Sequence, residues 1–480
     1  MLRPWKLEIE LTSDSQKALY LQIADAIIED IQMGRLQSGT ALPGSRVLAK
    51  ELGVNRNTIV EALNVLIAER WLESKERKGT FVASELPMLS RCDKSEGELV
   101  PIAEEESRKA WISFNDGHSD SRLAPVDELA RAYRKIFKMK AKWQLMGYVD
   151  PFGQLDFRSA LAEMVNFQRG MNITSDHICI TRGSQMAMYL LANCLFEKGD
   201  CMVVEELGYN QAWQAFKTSG VELISIGVDE EGLCVEELAL LLKQNKQIKA
   251  VYTTPHHQYP TTVTMSPKRR LALIALSNIY NFLIIEDDYD NEFHYDYRPV
   301  LPLSSHVELK NYVYLGSLSK IIAPALRIGY LITTNRNLLD RIGHLRRLID
   351  VQGDVIMEQA VLQLIREGTI KKHLRKVSLV YKERRAQMKL LLDTYLSTYV
   401  SYTIPSGGLA FWVVLKEKID CNRFELIVRS KGIDLQSISS YSFHGKELGF
   451  RLSFGNLVEA EMEKGVIALS TCFKELNEVK

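Results

Sequence analysis

The sequence of 480 residues has no net charge, because 60 lysines and arginines balance 60 aspartates and glutamates. No overall electrostatic field draws such a chain to nucleic acid or to a membrane, so any DNA-binding surface must be a local patch. The 7 cysteines are scattered, without a Cys-X-X-Cys pair or a histidine at a spacing typical of zinc. This pattern is typical of reduced cytosolic thiols, and it predicts no metal site.

Long hydrophobic runs are also missing. The first nine residues mix Arg3, Trp5, Lys6 and Glu8, which leaves no apolar segment for secretion. Apolar runs such as 282–285 are far shorter than the roughly 20 residues that cross a bilayer. Since 46% of the residues are hydrophobic, the sequence predicts a soluble cytoplasmic protein with more than one core and no membrane partner.

A polar, acidic segment divides the chain. It runs from about 84 to 110, includes the three glutamates at 104–106, and lacks the periodicity of a helix or strand. Such a segment buries too little apolar surface to offset the entropy of ordering it, which predicts a solvated linker. The sequence therefore predicts an N-terminal unit at 1–83 and a body at 111–480.

Three helices are predicted in the N-terminal unit. The first has apolar residues at three-four spacing on one face, namely Tyr20, Ile23, Ala24, Ile27, Ile28 and Ile31. The second runs from about Ser45 to Leu52 and ends in a turn at Gly53, after which Asn55 can cap the third. The first residues of the third helix lie where a helix-turn-helix motif reaches base edges, and they are Arg56, Asn57 and Thr58.

The stretch WLESKERKGTFVA then predicts a wing of two short strands. The turn between them is basic, with Lys75, Arg77 and Lys78, and Gly79 stands at its tip. A small helical oligomerisation module with a solvated charge cluster is the alternative interpretation. It is less favoured, because three helices, a turn and a hairpin occur together in the order of a DNA-binding domain.

The stretch LPGSRVLAKELGVNRNTIVEALNVLIAERWLESKERKGTFV resembles the winged helix of the GntR family along nearly its whole length. The resemblance implies a double-stranded DNA operator as partner, contacted by Arg46, Arg56, Lys78 and Gly79. Arginine suits this role because its guanidinium pairs bidentately with a guanine edge or grips a phosphate. The glycine that usually ends the third helix in the family is Arg70 here.

In the body, several predicted strands end in polar residues. HICIT is followed by Gly183 and by a helix opening at Ser184 and Gln185, and a helix N-terminus suits a phosphate. NFLIIEDDYDNEF is an apolar strand that ends in three carboxylates, at the edge where doubly wound sheets bind ligands. Each pattern has an ordinary alternative: a capped helix in the first, and a loop of solvated acids or a metal site in the second.

The stretch YLGSLSKIIAPALRIGY carries the most information. Lys320 follows a strand within Gly-Ser-X-Ser-Lys, and Arg327 comes seven residues later. A lysine held in this way can bond covalently to an aldehyde. The hydroxyls of Ser317 and Ser319 and the guanidinium of Arg327 can hold a phosphate.

Together with YVDPFGQLDFRSALAEM, ELGYNQAW and PHHQYPTTVTMS, these stretches resemble the fold type I aminotransferases. With the winged helix in front, the chain resembles the MocR/GabR-type regulators. The resemblance implies an α/β body of the fold type I aminotransferase type, preceded by an α+β winged helix-turn-helix domain, with pyridoxal 5′-phosphate (PLP) as cofactor. It also implies a large cofactor domain to about 335 and a small domain from about 345.

The resemblance assigns roles to ten residues. Lys320 would carry the cofactor covalently, Asp287 would pair with the pyridine nitrogen, and Tyr209 would stack on the ring. Tyr289 and Tyr259 would lie near the ring hydroxyl. The remaining residues would hold the phosphate, and they are Ser184, Gln185, Ser317, Ser319 and Arg327.

Four further positions in these stretches affect the site. Two usual glycines are replaced, by Thr262 and by Ala325, so that a β-carbon is added near the cofactor at each position. His256 and His257 are adjacent, and in an extended loop they would point in opposite directions, which predicts no metal pair.

Arg451, in GFRLSFGN, stands where aminotransferases hold the α-carboxylate of the amino acid. The resemblance therefore implies that Arg451 binds the effector.

The resemblance also implies a homodimer with sites at the subunit interface. The favoured function is a transcription regulator whose cofactor site senses an amino compound or PLP itself. One alternative is a working aminotransferase with an accessory DNA-binding domain. Another is a DNA-binding protein whose body binds no cofactor, which the intact Lys320, Asp287 and Arg327 disfavour. The sequence leaves open the effector, the operator and any residual aminotransferase half reaction.

Overall fold

The computed structural model contains two compact units, Met1–Glu105 and Glu106–Lys480. It describes residues 11, 17–75, 78–87, 112–114, 117–138, 142–244, 247–296, 300–446 and 448–478. Arg77 and most of the predicted linker lie outside the described residues. Among the described residues, no helix is long and apolar enough to cross a membrane.

The first unit is a winged helix. Its elements are α1 (Leu19–Gln32), α2 (Ser45–Leu52), α3 (Arg56–Ala68), β1 (Leu72–Lys75) and β2 (Gly79–Val82). The apolar faces of the helices pack into one core with Trp71 and Val82. Asn55 caps α3 as predicted, since its side chain accepts a hydrogen bond from the Asn57 backbone N–H at 2.9 Å. The two strands pair antiparallel, which completes the predicted architecture.

The second unit contains fourteen strands among its described residues. They are β3 (Ile112–Ser113), β4 (Ile178–Thr181), β5 (Cys201–Glu205), β6 (Glu222–Ile226), β7 (Val228–Asp229), β8 (Gly232–Leu233), β9 (Ile248–Thr253), β10 (Leu283–Asp288), β11 (Tyr312–Ser317), β12 (Gly329–Ile332), β13 (Val400–Tyr402), β14 (Ala410–Leu415), β15 (Ile433–Asp434) and β16 (Gly449–Ser453).

Helices alternate with these strands, and the two longest lie in the C-terminal part of the unit. They are α4 (Val126–Lys138), α5 (Leu155–Arg169), α6 (Gly183–Leu195), α7 (Asn210–Lys217), α8 (Val235–Gln244), α9 (Pro267–Tyr280), α10 (Arg336–Ile349), α11 (Val355–Arg366), α12 (Thr369–Leu391), α13 (Cys421–Ser430) and α14 (Glu459–Glu478). Short helical turns lie at Ser121–Leu123, Lys142–Met146, Ser175–His177, Leu303–Ser305, Pro324–Leu326, Leu392–Leu396 and Ile438–Tyr441.

A seven-stranded sheet organises the large part of this unit, in the order β4-β12-β11-β10-β9-β5-β6. Neighbouring strands are parallel except at β12, which runs antiparallel to both β11 and β4. The central strands are continuous apolar runs because helices cover both faces. Alternate residues of β10 accordingly enter different cores, Ile284 on one face and Ile285 on the other.

A smaller sheet, in the order β13-β14-β16, lies in the C-terminal part and shares one hydrophobic core with α12, α13 and α14. The first described segment of the body joins this region rather than the large sheet. β3 pairs with β15, and Phe114 is buried in the same core as Phe424 and Phe450. The chain therefore begins the body in its C-terminal subdomain before it forms the large sheet.

Two non-glycine residues occupy the left-handed region at positions where the resemblance to the two families implies glycine. Arg70, after α3, has φ 63°, and Thr262 has φ 64°. This conformation costs a residue with a β-carbon about 1–2 kcal/mol. Ala325, the other replaced glycine, needs no left-handed backbone, because it lies in the helical turn Pro324–Leu326.

Candidate functional site

One cavity lies at the carboxyl ends of the parallel strands, where β5, β9, β10 and β11 all terminate. It encloses about 790 Å³, including the part that is open to solvent. All ten residues predicted to contact a cofactor line it, namely Ser184, Gln185, Tyr209, Tyr259, Asp287, Tyr289, Ser317, Ser319, Lys320 and Arg327. Stretches separated by up to about 140 residues in the sequence thus converge because parallel strands end at one edge of the sheet.

Asp287, near the end of β10, lines the cavity. It is 4% exposed, and the Tyr252 hydroxyl donates a hydrogen bond to its Oδ2 at 2.8 Å. Burial raises the pKa of Asp287 to about 7, and the Tyr252 hydrogen bond and the Lys320 charge oppose that rise. The carboxylate is therefore poised to ionise fully when a cation is placed beside it.

Lys320 stands above Tyr289, with its Nζ 4.3 Å from the centre of the ring. The Tyr289 hydroxyl donates to the backbone carbonyl of His257 at 3.0 Å. Arg451 reaches the same hydroxyl at 3.5 Å and lies over the Tyr259 ring at 4.7 Å from its centre. Lys320 and Arg451 thus both contact Tyr289, and Arg451 also contacts Tyr259.

The other end of the cavity is built to hold an anion. α6 begins at Gly183, and Ser184 and Gln185 in its first turn line the cavity, so its free backbone N–H groups can donate to an anion bound there. Arg327 lies so close that a β-carbon at Gly183 would meet its guanidinium at 2.5 Å. A β-carbon at Gly329 would meet the backbone of Gly183 at 2.5 Å. These two glycines therefore allow the arginine to approach the helix N-terminus.

Three buried polar atoms facing this cavity have no hydrogen-bond partner among the described residues: Asp287 Oδ1, Gln185 Oε1 and Ser319 Oγ. Buried polar atoms are nearly always paired, so each requires a partner that the protein does not supply. A cationic ring nitrogen can donate to Asp287 Oδ1, and a phosphate can accept from the Ser319 hydroxyl, whereas Gln185 Oε1 is an acceptor and needs a separate donor. The donor set therefore fits PLP, with Lys320 placed to bond to its aldehyde.

An aromatic cluster forms one wall. The rings of Tyr209 and Tyr259 meet edge to face with centres 5.3 Å apart, and Tyr289 lies 6.3 Å from Tyr259. The Tyr259 hydroxyl bonds Gln436 of the C-terminal subdomain at 3.4 Å. This wall provides flat apolar surface for a heteroaromatic ring.

Sequence reasoning missed four residues of the cavity, which are His118, Tyr252, Thr254 and Pro324. Tyr252 and Thr254 could have been found from their position at the end of strand β9, next to the acidic strand β10. His118 carries no such signal. It enters from the segment before α4, where Gly117 lies against the Arg451 guanidinium.

The prediction for the adjacent histidines was wrong in its geometry. The segment bends, so the rings of His256 and His257 lie 4.6 Å apart instead of on opposite sides. His257 pairs with Asp290 at 2.7 Å, and burial lowers the pKa of His256 to about 4. The part of the chain that the structure describes contains no cluster of three metal-binding side chains.

The candidate DNA contacts lie at the surface of the winged helix. Arg46 is the second residue of α2, and Arg56, Asn57 and Thr58 open α3. The two helix starts are adjacent, since Arg56 Nε donates to Ser45 Oγ at 3.4 Å. Lys78 and Gly79 lie at the turn between β1 and β2. Both arginines are exposed, so their guanidinium groups are available to DNA.

The fold and the cavity define a PLP-dependent aminotransferase-type domain, which follows a DNA-binding winged helix in the sequence. Residues 109–469 match the model of the aminotransferase class I and II family, and residues 19–82 match that of the bacterial regulatory proteins of the gntR family.

Known proteins are similar over most of the chain. The HTH-type transcriptional regulator YdfD of Bacillus subtilis is 28% identical, over 95% of this chain and 96% of the relative. The probable rhizopine catabolism regulatory protein MocR of Rhizobium meliloti is 24% identical, over 97% and 96%. The body is similar to a crystal structure of the Pyrococcus horikoshii kynurenine aminotransferase, in complex with PMP, with a TM-score of 0.72 and 28% identity over 78% of this chain and 92% of that one.

The chain belongs to the aminotransferase class I and II family, and it carries a GntR-type DNA-binding domain at its N-terminus. This is the arrangement of the MocR-type transcription regulators, and the protein is a PLP-dependent DNA-binding regulator of that type.

Proposed function

We propose that this regulator senses a small amino compound, or PLP itself, through the cavity in its body. The observation that carries the proposal is the convergence of Lys320, Asp287 and Arg327 on one cavity with three unpartnered polar atoms. PLP bound there supplies an aldehyde that captures primary amines. The protein supplies the orientation, the charge and the exclusion of water.

Each side chain has a separate part in the proposed site. Lys320 would provide the amine that bonds to the cofactor, and the unpartnered oxygen of Asp287 would accept from the ring nitrogen. Tyr209 would support the ring face, while Tyr259 and Tyr289 would hold the ring hydroxyl. Ser184, Gln185, Ser317, Ser319 and Arg327 would hold the phosphate at the N-terminus of α6.

Arg451 is the proposed contact for an effector carboxylate. It lies on β16 of the C-terminal subdomain and is 1% exposed, yet it contacts Tyr289 and the Pro260 carbonyl of the large part. A ligand that joins the cofactor and also pairs with Arg451 would connect the two parts. Such a ligand can shift DNA affinity only by binding two conformations unequally.

DNA binding measured with and without ligands tests this function. The probe is DNA from upstream of the regulator's own gene, and the ligands are PLP alone and PLP with a panel of amino acids and amines. We expect at least one ligand to change the affinity about fivefold or more, the usual size of allosteric coupling. Affinity that stays constant across the whole panel would contradict the sensing function.

A homodimer is also proposed, from an exposed apolar surface on the body. This surface consists of Trp143, Met146, Tyr148, Leu348, Ile349 and Val351, and Tyr148 is 89% exposed. Its two segments are adjacent, because the backbone N–H of Val149 donates to Gln352 Oε1 at 2.6 Å. An apolar patch of this kind in a water-exposed body favours a partner, and a second copy can cover it by two-fold symmetry.

Leu348→Lys tests the dimer. Leu348 is 73% exposed, and the substitution would place a charge in the interface twice, once from each copy. We expect the dimer dissociation constant to rise at least a hundredfold, roughly the loss of two buried leucine contacts. Leu426→Lys is the matched control, since Leu426 is 68% exposed on α13. Analytical ultracentrifugation at several protein concentrations measures the dimer dissociation constant of each variant. Equal dissociation constants for the two variants would reject this interface.

Arg56→Ala tests the DNA interface. Arg56 is exposed at the start of α3, so its loss should cost operator binding about 1–3 kcal/mol and relax sequence preference, the range for one bidentate base contact. Cofactor binding should be unchanged. Lys50→Ala, at the far end of α2, is the control. An equal loss on operator and random DNA would make Arg56 a phosphate contact instead.

We assign the winged helix to 1–83, the linker to 84–110 and the aminotransferase-like body to 111–480. Within the body, the cofactor domain extends to about 335 and the small domain starts near 345, around α10. A cytoplasmic location is proposed because the regulator must reach DNA, and because the cysteines of the described residues form no disulfide with one another.

A further inference from the structure

We propose that Tyr252 is a positioning residue for the cofactor, which acts through Asp287 by holding one carboxylate oxygen and directing the other at the ring nitrogen. The inference rests on the proposed cofactor site. Tyr252 lay outside the motifs that pointed to that site.

The sheet fixes this pair in place. Tyr252 on β9 is directly opposite Ile285 on β10, and Asp287 lies two residues further along the same face. Tyr252 is 1% exposed, and its ring meets Phe216 edge to face at 5.4 Å. The phenol is therefore held rigidly on the side of Asp287, 2.8 Å from Oδ2.

The second observation is that the two carboxylate oxygens of Asp287 differ in their hydrogen bonding. Oδ2 accepts the Tyr252 hydroxyl, whereas Oδ1 has no partner among the described residues. Because Asp287 also lines the cavity, the remaining acceptor is available to a bound molecule there. A carboxylate with one oxygen fixed has lost most of its freedom to rotate, which lowers the cost of meeting a ring nitrogen in one orientation.

The charges around the pair agree with this role. Burial and the nearby Asp287 raise the pKa of Tyr252 well above its usual value, so the phenol keeps its proton and donates it. Asp287 faces Asp288 and Asp290 from its own segment and Lys320 from the loop after β11. Tyr252 additionally faces Glu205 and Tyr209. Among these neighbours, Tyr252 and Lys320 favour the charged form of Asp287, and the acids oppose it.

The next residue of β10, Asp288, forms a similar pair with a tyrosine, which provides a matched control. The Tyr314 hydroxyl donates to Asp288 Oδ2 at 2.6 Å, and both residues are buried. That pair lies on the opposite face of the sheet, beside Arg169, and does not line the cavity. Tyr314→Phe therefore removes the same kind of hydrogen bond at a similar depth, away from the cofactor.

The test is titration of the cofactor-free full-length chain with PLP, for the wild type, Tyr252→Phe and Tyr314→Phe, at several pH values. Hydrogen bonds to charged groups predict that Tyr252→Phe weakens PLP binding about tenfold to a hundredfold. Tyr314→Phe should stay within about twofold.

The pH dependence gives the second readout. The Tyr252 hydrogen bond lowers the pKa of Asp287, so its removal lets Asp287 take up a proton at higher pH. The loss of PLP affinity on acidification should therefore begin at higher pH in Tyr252→Phe than in the wild type and in Tyr314→Phe. A purely structural role of Tyr252 would leave the pH dependence of PLP affinity unchanged.

A double-mutant cycle separates direct from indirect action. If Tyr252 acts through Asp287, then adding Tyr252→Phe to Asp287→Asn should cost less than about twofold further. Additive losses, a profile that coincides with the wild type, or an equal effect of Tyr314→Phe would overturn the proposal. A wild type that fails to bind PLP would instead contradict the cofactor site itself.

Discussion

Lys320→Ala should abolish the covalent attachment of PLP while the chain remains folded. One amine carries that bond, and Lys320 is the lysine that lines the cavity among the described residues. After addition of PLP and reduction with borohydride, the wild type should gain the mass of the reduced cofactor and the variant should not. The absorption of the covalently bound cofactor should vanish with it, a complete effect rather than a graded one.

Lys310→Ala is the control for this experiment, because Lys310 is an exposed lysine outside the cavity. It should retain the full mass increase. A Lys320→Ala variant that still gains the cofactor mass at a single site would show that another amine carries the bond. The assignment of Lys320, and with it the arrangement of the cavity, would then be wrong.

Arg451→Ala should eliminate the response to an amino-acid effector and leave PLP binding and basal DNA binding intact. A buried guanidinium that pairs with a carboxylate contributes enough for its loss to weaken effector binding about tenfold to a hundredfold, which removes nearly all of the response at effector concentrations near the wild-type dissociation constant. Arg451→Lys keeps the charge but lacks the planar fork, so it should respond only partially. The measurement is operator affinity as a function of effector concentration, after equal loading with PLP.

An Arg451→Ala variant with a full response would mean that the effector is not a carboxylate held at this position. PLP itself would then be the leading signal, since it needs no carboxylate partner. A variant that loses PLP as well as the response would point to a structural role, because Arg451 is 1% exposed and bonds across the body.

Most of the cavity could be predicted because the apolar run of each strand is followed in the sequence by polar residues, which marks the end of the strand. The apolar run before Asp287 stops at a buried edge, and Lys320 and Arg327 follow the next strand at a fixed spacing. Such patterns can be recognised in the sequence alone because nearby residues determine where strands end and helices begin. The same holds for Asn55, whose side chain caps the helix that it precedes.

What the sequence did not reveal depends on pairing across long distances. The contact of Tyr252 with Asp287 follows from the alignment of β9 with β10, which no local pattern specifies. The pairing of β3 with β15 joins segments more than 300 residues apart. Arg70 and Thr262 were recognised as replaced glycines, but only the backbone shows that both keep the left-handed conformation.

The loop between β11 and β12 has a consequence for anyone who engineers this regulator. This loop and its borders contain Ser317, Ser319, Lys320 and Arg327. After the loop, the backbone at Gly329 packs closely against the start of α6. The proposed covalent anchor and three of the five proposed phosphate contacts thus lie on a single loop or at its borders. A substitution that displaces this loop will alter cofactor retention and amine capture together. Variants that separate the two properties must therefore be sought elsewhere, on β10 or on β16.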